Sequence, residues 1–360
     1  MNSRGEQRAL LAETVASQLL DMESSGLLKS ERERLERGEW PGQLWKQLEE
    51  NGLTSILVPE SSGGFGGEWE DAGIVLFFAG FHSVPLPIAE TVLARSLLGR
   101  AGIDPPAGAL AIAFADQVEV ECQVSRRRPF RGNAMGVLWG GMVEHVLVIL
   151  RDGGACRLAL IHRSAIEPIS SRLSIAREPV ADLRFRDAQA LAVATLTDDP
   201  FELGALTRIA LMAGAANSIL QQSVQYANDR RQFGKPIGKF QAIQHALARL
   251  ANEAAAVDCA AIAACRAADR GGAQFEIAAA KWRANRAVGA VTSIAHQVHG
   301  AIGFTAEYRL HFASQRLWSW RSEYGNDRHW ATRLGDTAIR HGAQGLWPYL
   351  TSLTDGLPPR

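Results

Sequence analysis

Three long apolar stripes at helical spacing run through the C-terminal half of this sequence and constrain its fold more than any other feature. In each stripe the apolar residues recur at intervals of three and four, which is the period of one face of an α-helix. The stripes are Leu206, Ile209, Ala213, Ala216, Leu220, Val224 and Ala227; then Ile243, Leu247, Leu250, Ala254, Val257 and Ala261; then Ile277, Ala280, Ala284, Val288, Val291, Ala295 and Val298. Because such faces must be buried, and because alanine allows close approach, the pattern predicts a bundle of long helices.

The first part of the chain also carries helical periodicity. A helix is expected to begin at Trp40-Pro41 and to end at Gly52, because glycine commonly terminates helices. Two further apolar helical stretches lie around residues 70–82 and 87–100. We therefore interpret residues 1–107 as an N-terminal helical domain.

The middle of the chain changes to short β-prone runs separated by Gly, Pro and charged turns. These runs are Ala109–Ala115, Val146–Leu150, Arg157–Ile161 and Asp182–Arg186. They predict a small antiparallel barrel or sandwich over residues 108–196. The expected fold class is therefore α+β and mainly α, with a C-terminal four-helix bundle at 197–350 and a tail at 351–360.

Charge and cysteine content argue against several classes of protein. The 38 basic and 38 acidic residues balance, so no general attraction to nucleic acid or to membranes is expected. The N-terminus has no secretory hydrophobic core, and no uninterrupted apolar run is long enough to span a bilayer. The four cysteines form no CxxC pair, which favours a reducing compartment and argues against a metal cluster or a disulfide framework. We therefore expect a cytoplasmic protein without a membrane span or a nucleic-acid partner.

Three familiar catalytic patterns are missing from the sequence. The run Gly63–Gly67 lacks both the GxGxxG and the GxxxxGK[ST] spacing, so a surface loop is the better interpretation than a phosphate cradle. No Glu-x-x-His pair supports a di-metal site in a helical bundle. No G-x-S-x-G elbow supports a serine hydrolase.

A basic turn interrupts the first two apolar stripes, within residues 226–245. Arg230, Arg231 and Lys235 crowd this turn, and Pro236 helps to fix its course. The pattern fits a solvated turn, but it also fits an anion-binding site in which guanidinium groups and amides meet phosphate oxygens. Both interpretations stay open on the pattern alone.

A second glycine-containing segment follows the third stripe. Gly300 and Gly303 are expected to end the third helix and would let the backbone approach a ligand closely. An ordinary helix cap explains these glycines equally well.

Taken together, these two segments resemble the acyl-CoA dehydrogenase family. The family pattern is Y-x-x-x-R-x-x-F-G-x-x-[IL]-x-x-x-Q, followed by Q-x-x-G-x-x-G-[FY]-x-x-[ED]-[YF]. The matching residues are Tyr226, Arg230, Phe233, Gly234, Ile237 and Gln241, then Gln297, Gly300, Gly303, Phe304, Glu307 and Tyr308. The segments 53–67 and 85–91 also resemble the family, whose helical, β and helical order this chain follows.

The resemblance implies FAD as the cofactor and an oligomer, a dimer or tetramer of like or unlike chains, because each FAD lies between subunits. Arg230 and Phe233 would contact the pyrophosphate region of a neighbour's FAD, with Gln241 nearby. The adenosine half would be approached by Gln297, Gly300 and Gly303, and Asn326 replaces a threonine that touches it.

The reaction implied by the resemblance is FAD-dependent α,β-dehydrogenation of an acyl-CoA thioester. A carboxylate takes the α-proton while the β-hydride goes to flavin N5. Electrons would then leave through an electron-transfer flavoprotein.

The sequence departs from the family pattern in two places. The T-E-P-x-x-G-S-D loop that holds the flavin ring has no counterpart after Phe114, and alignment puts Gly136 and Leu138 where the family's W-x-T-N strand has Trp and Thr. The position of the family's catalytic base falls on Tyr324, which leaves Glu323, one residue earlier, as the candidate base. The other base position used in the family falls on Gly204.

Two hypotheses follow from these departures. In the first, the chain is a flavoenzyme subunit with Glu323 as its base. In the second, it is a non-catalytic or half-site subunit of a heteromer, as in branches of the family that pair two unlike chains and often act on steroid side-chain or other bulky CoA thioesters. A flavin oxidase or monooxygenase on the same fold is a third possibility.

Overall fold

The computed structural model describes residues 4–114, 130–152, 155–196 and 199–355. Five helices come first: α1 (Arg4–Ser24), α2 (Leu27–Glu36), α3 (Gly42–Glu50), α4 (Trp69–Phe81) and α5 (Ile88–Arg100). The helices expected at 40–52, 70–82 and 87–100 are therefore present. The run from Leu53 to Pro59 contains only a short 3₁₀ turn.

Two small sheets form the middle of the molecule. Their strands are β1 (Leu110–Phe114), β2 (Phe130–Leu138), β3 (His145–Asp152), β4 (Ala155–His162), β5 (Ile166–Leu173), β6 (Pro179–Ala188) and β7 (Ala192–Leu196). One sheet has the order β1-β3-β4-β7 and the other has the order β2-β6-β5. The expectation of an entirely antiparallel arrangement was wrong in one place, because β1 pairs with β3 in parallel. The chain crosses to the second sheet as β2 between these strands, which provides the long connection that a parallel pair needs.

Long helices form the C-terminal part of the fold. They are α6 (Pro200–Asp229), α7 (Gln241–Arg270), α8 (Gln274–His299), α9 (Leu310–Trp320) and α10 (Asp327–Asp355), and the strands β8 (Arg231–Gln232) and β9 (Lys235–Pro236) join α6 to α7. α10 is kinked at Gly342, which has φ of 64°. The predicted fold class, mainly helical with a small β region and a C-terminal helical bundle, is confirmed.

Helix α6 is the central element of the molecule and packs against α4, α7, α8 and α9. Glycine permits its closest contact with α4: a Cβ at Gly80 would lie 2.1 Å from the Leu211 carbonyl oxygen, and one at Gly214 would lie 1.8 Å from the Phe77 carbonyl oxygen. These contacts fasten the N-terminal helices to the bundle. By length and apolarity α6 could cross a membrane, but 89% of its most apolar window is buried inside the fold, as in a core helix.

The predicted apolar stripes are the buried faces of α6, α7 and α8, with few exceptions. All members of the third stripe are buried. In the first stripe Val224 is 39% exposed, although Ala227, nearer the end of α6, is 1% exposed. Among the described cysteines, Cys156 and Cys265 are buried and Cys259 is exposed.

Candidate functional site

The basic turn between α6 and α7 is a short β-hairpin. Phe233 and Gly234 form its tip, with φ of 50° and 81°, the two positive values of a type I′ turn. This turn type favours asparagine or glycine, so a phenylalanine in the left-handed region is strained. The Phe233 side chain is nevertheless 91% exposed. Within the chain its ring contacts the edge of Phe240, with the ring centres 6.1 Å apart. Most of its apolar surface stays open, which suits a contact with another molecule.

The cations of this hairpin are available to a ligand. Among the described residues, Arg230 and Arg231 have no carboxylate partner. Lys235 places its ammonium 4.4 Å from the centre of the Phe240 ring, without an ion pair. Gln241 is exposed as the first residue of α7. The hairpin therefore offers uncompensated positive charge to an anion such as a pyrophosphate.

An aromatic cluster joins the two motif-bearing segments. The Tyr226 ring, near the end of α6, stacks on His299 at 4.7 Å, and Tyr308 packs against both rings at 6.0 and 4.9 Å. These contacts place the hairpin beside the end of α8. The structure thus brings together the two segments that the sequence treats separately.

The residues predicted to approach adenosine lie at the end of α8. Gln297 is exposed, and Gly300 ends the helix with φ of 63°. Gly303 is buried so closely against His299 that a Cβ would lie 3.0 Å from the histidine Cβ. Phe304 is 75% exposed and stacks on His296. Gln297 and Gly300 thus lie on an open surface that a cofactor could contact, whereas the predicted contact Gly303 is covered by His299.

The turn between α9 and α10 carries the predicted base position, and three donors fix its course. The buried Lys281 ammonium donates to the carbonyl oxygens of Trp320 at 2.9 Å and Arg321 at 3.2 Å. The Trp330 indole donates to the carbonyl oxygens of Tyr324 at 3.0 Å and Gly325 at 3.2 Å. The turn needs this support because Tyr324 and Gly325 have φ of 50° and 97°.

Asn285 on α8 also donates to the Gly325 carbonyl oxygen, at 3.3 Å. The predicted adenosine contact, Asn326, follows at once and is exposed. Its side-chain oxygen accepts from the His329 backbone amide and caps α10, which leaves its amide group for another partner.

The two positions where a base was considered, 204 and 324, are in direct contact. The Tyr324 ring covers Gly204 so closely that a Cβ there would lie 2.1 Å from the ring atom Cε1. Phe114 and Phe201 pack their edges on the same ring at 5.7 and 5.8 Å. Burial raises the pKa of Tyr324 well above its ordinary value, so the phenol stays neutral. This part of the interior is an aromatic core.

Glu323 lies beside this core, but its carboxylate is already engaged. One oxygen accepts from Nε of Arg208 at 2.6 Å, and the other accepts from the Ser319 hydroxyl at 2.9 Å. Arg208 also pairs with Glu90 of α5 and is 2% exposed. Glu202, two residues before Gly204, pairs with Arg333 instead of facing Tyr324. The neighbouring carboxylates are thus all held by arginines.

A second buried charge lies close to this network. Glu178, in the loop before β6, is 3.9 Å from Nε of Arg316 on α9, and burial raises its pKa to about 7. Glu178, Glu90 and Arg208 border a cavity of only about 10 Å³. That is room for about one water molecule and far too little for an acyl chain.

Sequence reasoning missed Arg208, Glu90 and Lys281 as members of the site. Arg208 lies between the stripe residues Leu206 and Ile209, and Lys281 follows Ala280. The available signal was a charged residue next to the apolar stripe of a long helix. Such a residue is close to the buried face, and a buried charge needs a partner, so it indicates a buried ion pair or hydrogen-bond network.

The middle domain offers little to a flavin ring. Gly136 has φ of 68°, and its backbone amide donates to Asp182 at 2.7 Å. Leu138 has a partly buried apolar side chain. Neither residue replaces the Trp or Thr of the family's strand. The segment where the flavin-binding loop was expected, from residue 115, lies outside the described residues.

Comparison with known proteins decides the family. Residues 11–101 match the model of the acyl-CoA dehydrogenase N-terminal domain, and residues 195–321 match that of the C-terminal domain. The chain is 31% identical over 334 residues to acyl-CoA dehydrogenase IpdE2 of Mycolicibacterium smegmatis, covering 91% of this chain and 98% of that protein. This chain belongs to the acyl-CoA dehydrogenase family. The predicted family is therefore confirmed.

Solved structures of low identity share the acyl-CoA dehydrogenase fold. The ChsE4-ChsE5 complex from Mycobacterium tuberculosis contains a chain with a TM-score of 0.81 and 20% identity, covering 93% of this chain and 97% of that one. The structure of PigA with FAD and proline has a TM-score of 0.80 and 15% identity, covering 95% and 99%. At these identities the comparison establishes the fold alone.

The residues of this chain fit one part of FAD and not the other. The unpaired arginines of the hairpin and the open glycine turn after α8 suit a pyrophosphate and an adenosine. The positions that should hold the flavin ring carry Gly136 and Leu138, which have no polar side-chain atoms. The described part of an acyl-CoA dehydrogenase site in this chain is therefore incomplete.

Proposed function

We propose that this chain is the half-site subunit of a heteromeric FAD-dependent acyl-CoA dehydrogenase. The observation that carries the proposal is the packing of Tyr324 on Gly204. Both positions that the family pattern predicts for the base are filled by this contact, and neither residue is a carboxylate. A partner chain would supply the base and the contacts to the flavin ring.

The engagement of Glu323 supports the same conclusion. A base must be close to the substrate α-carbon and free to accept a proton. Glu323 would first have to leave both Arg208 and Ser319. The space of about 10 Å³ between Glu90, Glu178 and Arg208 is itself too small for a thioester.

The role that remains for this chain is to hold a cofactor shared with its partner. Arg230 and Phe233 on the hairpin, with Gln241, would contact the pyrophosphate region. Gln297, Gly300, Gly303 and Asn326 would lie along the adenosine half. When bound, FAD supplies the acceptor for the β-hydride of the acyl-CoA. Electrons would then pass to an electron-transfer flavoprotein.

The known heteromeric structure is consistent with this arrangement. The ChsE4-ChsE5 complex pairs two chains, one of which has the fold found here. The exposed Phe233 gives this chain a surface that a partner and its cofactor could cover. Like that complex, the assembly would be an oligomer of unlike subunits.

A second candidate is an enzyme whose own base is Glu323. It is favoured by one observation: the Glu323 carboxylate is 17% exposed and lies one residue from the family's base position. The reaction in this case is the same α,β-dehydrogenation, carried out within this chain's own site.

Glu323→Gln separates the two candidates. The variant would be co-expressed with a homologue that has a glutamate at the base position, and acyl-CoA-dependent dye reduction would be measured. The half-site proposal predicts a turnover within a few-fold of that of the unchanged complex. A fall of about 100-fold or more, the contribution typical of a general base, would assign catalysis to Glu323. Thermal melting would confirm that the variant chain remains folded.

A further inference from the structure

A groove of about 480 Å³ lies where α1, α4, α6 and α7 meet. None of the residues proposed above for the FAD or acyl-CoA site lines it. Its volume falls in the range of roughly 300–1,000 Å³ that is usual for small-molecule sites. The groove spans the junction between the N-terminal helices and the bundle, so a ligand there would contact both parts of the fold.

Small side chains create the groove. Ala210 and Ala213 of α6 and Ala261 of α7 line it, while Ile74 and Phe77 of α4 add larger apolar side chains. Because the alanines do not fill the space between the helices, an apolar surface stays open there. Burying such a surface under a ligand would be favourable.

Ion pairs hold the helices around the groove in place. Arg8 of α1 is 2.9 Å from the Glu70 carboxylate of α4, which also meets Arg266 of α7 at 3.0 Å. Asp269 of α7 accepts the backbone amides of Trp69 and Glu70 at 2.5 and 3.1 Å. The groove is therefore a preformed feature, and both arginines that line it already have a carboxylate partner.

One carboxylate that lines the groove has no partner among the described residues. Asp258 is half-buried, and among the described residues it makes no hydrogen bond or ion pair. Burial raises the pKa of its carboxyl group. Cys265, on the same face of α7, is neutral because burial raises the pKa of its thiol to about 12. A carboxylate beside apolar surface is costly unless it is paired.

We propose that this groove binds a small apolar cation, an aryl- or alkylammonium. Its ammonium group would pair with Asp258, and its hydrocarbon part would pack against Ala210, Ala213 and Ala261. The uncompensated charge of the groove lining favours a cation. Both lining guanidiniums, Arg8 and Arg266, pair with Glu70, whereas Asp258 has no partner among the described residues. A neutral ligand would leave the negative charge of Asp258 uncompensated. The site does not depend on FAD or on a partner chain.

The test is calorimetric titration of the full chain with 2-phenylethylammonium, with 2-phenylethanol as its neutral analogue. We expect one ammonium ion per chain, bound at least about tenfold more tightly than the alcohol, since a charge-assisted hydrogen bond is worth that factor or more. Asp258→Asn should weaken the ammonium about tenfold and leave the alcohol unchanged. Ala9→Trp, at an exposed position of α1 on the groove, should abolish both.

Ligand binding should also raise the melting temperature of the unchanged chain and not that of Ala9→Trp. Melting of the free variants checks that both remain folded. Equal affinity for ammonium and alcohol, unchanged ammonium affinity in Asp258→Asn, or no binding at millimolar concentration would each overturn the proposal. The proposal would also be overturned if the chain bound no ammonium but self-associated, and if Ala9→Trp abolished that self-association. The groove would then be a contact between copies of the chain.

Discussion

The ring of Tyr324 lies directly on Gly204, leaving no space for a side chain: a Cβ at position 204 would be 2.1 Å from Cε1 of the tyrosine. The two residues are far apart in sequence and stand at the two positions that the family pattern predicts for a base. In the half-site proposal, their contact puts packed core where a relative would carry out acid–base chemistry. It also makes the two positions dependent on each other.

Gly204→Ala tests that dependence. The added methyl group must displace the Tyr324 ring from its aromatic neighbours, and overpacking of this kind typically costs about 1–3 kcal/mol. We expect a lower free energy of unfolding, measured by urea denaturation. The change should cost little in a Tyr324→Ala background, where the ring is gone, and a double-mutant cycle would show the coupling.

Gly289→Ala is the matched control for this substitution. Gly289 is also a helical glycine, in α8, but a Cβ there would meet nothing within 4 Å. Alanine should therefore raise the free energy of unfolding by up to about 1 kcal/mol through helix propensity. If both alanine variants were stabilised, Tyr324 would not occupy the space over Gly204.

Glu178→Gln tests the buried carboxyl group between the β-region and α9. Its folded-state pKa of about 7 lies above the ordinary value of 4.5, so the folded state binds the proton more tightly than the unfolded state does. The bound proton stabilises the folded state fully below pH 4.5, and this stabilisation is lost as the pH rises through 7. Over this range the free energy of unfolding falls by at most about 1.4 kcal/mol per pH unit.

We expect the stability of the unchanged chain to fall relative to Glu178→Gln between pH 4.5 and 7. Glu167→Gln, at an exposed ion pair on β5, should show no such difference. Denaturation curves across this pH range provide the check. Parallel stability profiles for the unchanged chain and Glu178→Gln would mean that Glu178 titrates normally.

Lys281→Met tests whether the Lys281 side chain holds the turn after α9 in place. Burial lowers the pKa of Lys281 to about 7, below its ordinary 10.5, so the unfolded state binds the proton more tightly. The stability of the unchanged chain should therefore rise from pH 7 toward 10.5 relative to the methionine variant. At any pH the variant leaves the Trp320 and Arg321 carbonyl oxygens without this donor, at a cost of about 1–3 kcal/mol each. A variant with unchanged stability and slope would contradict this role.

Phe233→Gly separates stability from assembly. Glycine suits the positive φ of the hairpin tip, so the isolated chain should be equally stable or more stable by up to about 1 kcal/mol. In the heteromer the same change removes an aromatic contact and should weaken partner and flavin binding. Size-exclusion chromatography and flavin content measure this loss. An unaffected complex would show that the hairpin tip does not lie at the shared site.

The helical part of the fold could be predicted from local pattern because long amphipathic helices repeat their signal many times. The strands β2, β5 and β7 were missed. Gly132 and Gly136 interrupt the pattern of β2, and the serines at 170 and 171 dilute that of β5. Strands of this kind are defined by their pairing with β6, which a single sequence does not show.

The site was predictable only where motifs are local. The hairpin and the glycine turn after α8 could be located, and the structure brings them together through the contact of Tyr226 with His299. The ion pair of Arg208 with Glu323 joins residues 115 positions apart, so no spacing rule could indicate it. The roles of the named FAD contacts and of Glu323 stay predictions.

The most direct test of the half-site account is to measure the flavin-to-chain ratio and the visible spectrum of the protein. Both are measured for the chain expressed alone and for the chain co-expressed with a homologue that carries a glutamate base. Each sample is measured before and after adding an acyl-CoA. The account predicts a colourless isolated chain and a yellow complex, with flavin shared between the two chains, that bleaches with substrate. An isolated chain that holds one FAD and bleaches with acyl-CoA would contradict it.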